Sequence, residues 1–284
     1  MSLRLHPETA EVFHNGKVSV SIGTCKLCLE DKELCKSHFM PQALFDLCRA
    51  PGLEPVVLTQ KVIMQTSRQT TDYLLCQSCE DILNEGGESW VLPKLAKFEG
   101  EFPLYEIVQK MPPNINEADV LGYAASHNSE IDTDSIIHFA AGIFWKASVH
   151  PWKRDEPEPR IELGPYREAF RQFVLGTGEF PKDVVLVVGV TPPDKILQSL
   201  TDPYRGGRSG VRNFLFYVPG MHFTILVGKT IEETLRSMCF VRNPLHPILV
   251  GDFSTQLKRI YLDSTRNAHQ SARIKKFLRG NRPE

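Results

Sequence analysis

No stretch of this chain approaches the ~18 consecutive apolar residues that a membrane span needs. The longest apolar run, residues 184–190, has the length of a buried strand. The opening Met1-Ser2-Leu3-Arg4-Leu5-His6-Pro7 lacks a hydrophobic signal core. The expected compartment is therefore the reducing cytoplasm, where thiols stay free, with no membrane contact. A charge imbalance is missing too: 33 basic against 34 acidic side chains leave a formal net charge of −1. That argues against indiscriminate nucleic-acid binding by the whole surface and leaves room for a local basic face. There is no internal repeat and no low-complexity tract.

Cysteine is sparse, seven residues in 284, and its distribution is uneven. Cys25/Cys28 and Cys76/Cys79 form two Cys-x-x-Cys pairs separated by 47 residues, 29–75. Four thiolates in two such pairs make a closed tetrahedral zinc site, and a reducing compartment favours metal over disulfides. Such an ion is structural, because its coordination is complete. Cys35, Cys48 and Cys239 read as small buried hydrophobes. Between the pairs lies Ser37-His38-Phe39-Met40-Pro41, so the staple fixes the backbone on both sides of one histidine.

Turn-rich Pro112-Pro113-Asn114 divides the chain into a cysteine module, 1–111, and a second domain, 112–284. In the first, patterning predicts strands over 18–22, 56–64 and 70–75 and a helix over 41–49 with Pro41 in its first turn. A helix should begin at 80–84 and break at Gly86-Gly87, and another should stop at Pro93. In the second, Ile136, Ile137, Ala140, Ile143, Phe144 and Ala147 recur at helical spacing over 135–149, up to Pro151. His138 and Trp145 fall in that helix and read as packing residues. A helix is expected at 165–175. Strands are expected at 184–190, 211–218 and 222–227, the last two joined as a hairpin by Pro219-Gly220. A long basic helix is expected over 254–278. The fold class is α+β: a zinc module followed by an α+β domain with an antiparallel hairpin and long helices.

The order Cys25-x-x-Cys28, His38-x-x-Pro41, Leu74-Leu75-Cys76-x-x-Cys79 resembles the zinc-knuckled HNH endonucleases, the ββα-metal group, in a bacterial branch. The resemblance covers about residues 20–92, a quarter of the chain. It implies a treble-clef module whose histidine, here His38, is the general base, and a catalytic divalent ion (Mg2+, Mn2+ or similar) between hairpin and helix. It also implies DNA as substrate, a setting in bacterial defence, and a second domain that supplies target choice or a protein-partner surface. Imidazole, with a reference pKa of ~6.5, suits deprotonation of water near neutrality. Two positions depart from the family pattern: Ser37 stands where an acid usually precedes the base, and Glu80 follows the last cysteine where Asn or His is common. A Glu80 carboxylate can restore the anionic ligand from the helix side, with Asn84 one turn beyond it; Asp72 is a further candidate. Plainer roles stand beside these: His38 packing on the knuckle, Glu80 as a helix N-terminal acid, Asn84 as a helix end. Lys61, Arg68 and the loop 206–210 read as solvated surface. The competing class is a non-catalytic zinc-stabilised module that binds nucleic acid or protein.

Overall fold

The computed structural model describes residues 21–49, 56–58, 62–65, 68–117, 119–152, 158–207, 211–267 and 269–270. The chain begins with β1 (Ser21–Thr24) and β2 (Asp31–His38), an antiparallel hairpin, followed by α1 (Gln42–Leu47). Next come β3 (Val56–Leu58), β4 (Val62–Gln65) and β5 (Thr71–Leu75). The single strand expected over 56–64 is instead an antiparallel pair, β3 with β4. β5 adds to the first hairpin, giving a sheet of order β1-β2-β5.

α2 (Gln77–Leu83) runs without a break through a π-helical turn, Asn84–Glu88, into the single turn α3 (Ser89–Val91) and a 3-10 turn ending at Lys94. The helix thus starts before residue 80, and Gly86-Gly87 does not interrupt it. A Cβ on Gly87 would lie 2.6 Å from the Phe139 nitrogen and 2.8 Å from the Ser135 oxygen. The glycines are there for close helix approach.

The second half follows α4 (Pro103–Gln109) with β6 (Ile115–Glu117), β7 (Val120–Ala124), α5 (Thr133–Val149) and α6 (Tyr166–Val174). Then come β8 (Val184–Val190), β9 (Tyr204–Arg205), β10 (Arg212–Val218), β11 (Met221–Val227), α7 (Glu233–Ser237) and β12 (Pro247–Gly251). These strands make a seven-stranded sheet, β6-β7-β12-β8-β11-β10-β9, antiparallel except for β12 beside β8. α8 (Ser254–Asn267) is shorter than the expected 254–278 helix, and β13 (His269–Gln270) pairs parallel with β4. The basic residues after 270 lie outside the described residues, as do residues 18–20 of the strand expected over 18–22, whose last two residues open β1.

α5 organises the molecule. Asp132 caps it, accepting the Ser135 N–H at 3.0 Å and the Ser135 hydroxyl at 2.8 Å. Buried residues cover nearly its whole circumference, as expected of a helix packed on all sides. One side rests on the large sheet, where Phe139 and Phe144 meet Phe216 edge-on and Phe139 meets Phe223. Another receives the π turn, and α6 packs alongside. The opposite sheet face carries smaller clusters, Leu226 and Leu235 under α7 and Tyr217 and Leu257 under α8. One continuous hydrophobic core runs from Cys25 and Leu44 through α5 to Val250, on both sides of residue 112. Among the described residues no helix is long and apolar enough to cross a membrane.

Candidate functional site

Cys25 and Cys28 sit on the β1–β2 turn. Cys25 N–H donates to Glu30 O and Leu29 N–H to Cys25 O, each at 2.9 Å, with Leu29 at φ 64°, in the left-handed region such a tight turn requires. Lys26 N–H donates to Leu74 O at 3.1 Å and ties the turn to β5. The other pair belongs to the start of α2, with Cys76 at its N-cap and Cys79 in its first turn. The four sulfurs all lie within 4.8 Å of one another. Bonds of about 2.3 Å to a tetrahedral ion place ligand sulfurs about 3.8 Å apart, and Cys28 Sγ lies 3.9 Å from Cys76 Sγ. The cluster can hold a structural metal ion such as zinc.

Ionisation is uneven within it. Burial opposes the Cys76 thiolate, yet the Ser78 hydroxyl and the Cys79 N–H bring that thiol down to about 7. Burial first, then the neighbouring thiols, push Cys79 up. A cation among the sulfurs favours all four thiolates together.

His38 ends β2, opposite Thr71 of β5, and is half-buried. Burial pushes its imidazole below the usual range; the Glu80 carboxylate opposes that, and the Lys146 ammonium adds to it. Glu80 stands in the first turn of α2, half-buried, and its Oε1 is enclosed without a hydrogen-bond partner. An enclosed carboxylate oxygen in that condition fits a cation or a proton donor. α2 packs on β2, so His38 and Glu80 stand on touching elements, one of which begins at the Cys cluster. Asn84, at the junction of α2 and the π turn, is exposed.

Ser37 and Asp72 have other attachments. The β2–β5 register shifts between Cys35 and Lys36, and the Leu75 N–H turns to Ser37 Oγ at 3.1 Å. Ser37 is only 2% exposed, so its hydroxyl is a strut inside the sheet. Asp72 receives a contact from His150 Nε2 at 2.9 Å.

Four further residues bear on the site without standing out in the sequence: Glu88, Lys146, His150 and Trp152. Lys146 is 2% exposed; its ammonium donates to the His38 carbonyl at 3.3 Å and lies 3.6 Å from Glu88 Oε1. The signal was available, since a lysine inside the apolar run of α5 requires a partner. Trp145 is buried in the core as expected, and His138 is half-buried, its Nε2 meeting the Val174 carbonyl at 3.0 Å. Comparison with known protein families, curated proteins and solved structures returns no match.

Proposed function

We propose that this protein is a metal-dependent endonuclease of HNH type acting on DNA, with a treble-clef module stapled by zinc on Cys25, Cys28, Cys76 and Cys79. The observation that carries the proposal is an enclosed, unpartnered Glu80 oxygen in the first turn of α2, the helix that starts at the Cys cluster and packs on β2, the strand that ends at His38. A divalent ion, when bound, supplies stabilisation of the charge that develops on the phosphate and the leaving oxygen. Glu80 offers it a carboxylate oxygen, and exposed Asn84 stands one turn further along the helix. His38, with its protonated form disfavoured, is neutral near pH 7 and ready to accept a proton from water. The sheet and helices after residue 112 would contribute target choice or a protein-partner surface, in a setting such as bacterial defence.

The test is cleavage of plasmid and single-stranded DNA by zinc-loaded protein with Mg2+ or Mn2+. Metal-dependent nicking is expected, falling by about 100-fold or more in His38→Ala at unchanged zinc content, and falling also in Glu80→Gln. No cleavage with any metal, together with tight nucleic-acid or protein binding that His38→Ala leaves intact, would replace the nuclease with a non-catalytic binding module.

A further inference from the structure

The last two turns of α5 and the residues just after them reach across to the segment that carries His38. Lys146 sits on a helix buried on all sides, where an ammonium has no access to water. It is held by Glu88 Oε1 at 3.6 Å and by the His38 carbonyl at 3.3 Å. Six residues later, past the end of α5, the Trp152 ring stacks on Phe39, centroids 4.9 Å apart and planes 23° from parallel. Trp152 Nε1–H donates to the Lys146 carbonyl at 2.8 Å, and Trp152 itself adopts φ 60°. A left-handed conformation is unfavourable for a bulky aromatic residue and persists only where surroundings over-determine it. Here the stack and the hydrogen bond do so. His150 adds a third link, Nε2 to Oδ2 of Asp72 at 2.9 Å, Asp72 being the β5 position paired with Ser37.

Two of these contacts, from Lys146 and Trp152, meet the dipeptide His38-Phe39 from more than a hundred positions away in sequence, and the third holds the neighbouring strand β5. We propose that Lys146 is a positioning residue for His38: with Glu88 it pins the His38 carbonyl, and the Trp152 stack on Phe39 fixes the chain direction beyond it. The second half of the protein thereby completes the site. With its ammonium engaged by both groups and excluded from solvent, Lys146 acts through His38 and not on a substrate phosphate. The role assigned to His38 rests on the nuclease proposal; the placement of its ring does not.

The test reads that placement directly. In the zinc-loaded whole chain, the imidazole Cε1–H resonance of His38 is identified by its disappearance in His38→Gln. Three variants are compared: Lys146→Met, the double variant Lys146→Met/Glu88→Gln, which leaves no stranded carboxylate, and Lys146→Arg. The expected result is one sharp His38 resonance in the wild type, its broadening or splitting in both Met variants, and its recovery in Lys146→Arg. The His222 resonance stays where it was in all three variants, and the His138 resonance, which the Glu88 carboxylate influences, in the two that keep Glu88. If Lys146→Met does not fold, the double variant decides. An unchanged His38 resonance in the folded double variant would overturn the proposal. So would a shift of all three histidines together, which marks Lys146 as a general core residue. Because cleavage is not the readout, a protein that cuts no DNA still answers the question.

Discussion

At the scale of single residues, neighbouring contacts decide what each side chain can do. Ser37 occupies the place where the resembled family usually carries an acid, and its hydroxyl is taken up by the Leu75 N–H beside the β2 irregularity. The sequence shows the departure from pattern but not the bulge that gives the serine its task. His222 makes the same point with a measurable consequence. It is buried, bonded to Thr224 Oγ1 at 3.0 Å and stacked on Phe253, with Gly189 leaving room for its ring. Burial lowers it to about 4. The fold holds the neutral imidazole, whereas the unfolded chain takes up a proton below its ordinary ~6.5. His222 therefore contributes stability that is fully present above about pH 6.5 and is lost as pH falls toward 4. Between pH 7.5 and pH 5 the loss is about 2 kcal/mol by urea unfolding, with His38 and His138, also lowered chiefly by burial, acting in the same direction. His222→Gln should shrink that loss; an equal loss in the variant would show that His222 is not its source.

At the scale of elements, the segment from α2 through the π turn to α3 links the sulfur cluster to the core. Its Cys76 and Cys79 face the sulfur cluster, Gly87 seats against the α5 backbone, and Glu88 meets Lys146. Gly87→Ala places a methyl against backbone atoms that cannot rotate away, at 2.6 Å and 2.8 Å. The expected cost is at least the ~1–3 kcal/mol typical of overpacking. Gly207→Ala, with nothing within 4 Å of the added Cβ, should stay within about 0.5 kcal/mol of wild type. Equal thermal midpoints for the two variants would contradict this packing. Gly86-Gly87 reads as a helix breaker by propensity alone, and only tertiary contact reverses that reading. α5 and the β10–β11 hairpin were legible, because long apolar periodicity and a Pro-Gly turn are local signals. β12 was not: five residues opening on Pro247 and closing on Gly251 resemble a connection. Its central place between β7 and β8 comes from pairing with residues 120–124 and 188–190.

At the scale of the whole molecule, the four cysteines were legible from spacing and do cluster, whereas the connection between the two halves was not. The Pro112-Pro113 turn marks a change in sequence character, yet the hydrophobic core is continuous across it and α5 contributes to both sides. Lys146 and His38 are 108 positions apart, a contact that no local pattern encodes. Under the proposed function, α2, held by the sulfur cluster and by α5, presents a cation site at Glu80 beside the base His38. Manganese binding to the zinc-loaded whole chain, followed by electron paramagnetic resonance, tests it without requiring the right substrate or an activator. Wild type should bind Mn2+ at a single site, and Glu80→Gln should weaken that binding by about tenfold or more, the effect of losing a charged oxygen ligand, at unchanged zinc content. Mn2+ binding that is absent in the wild type, or equally strong in Glu80→Gln, would contradict the claim.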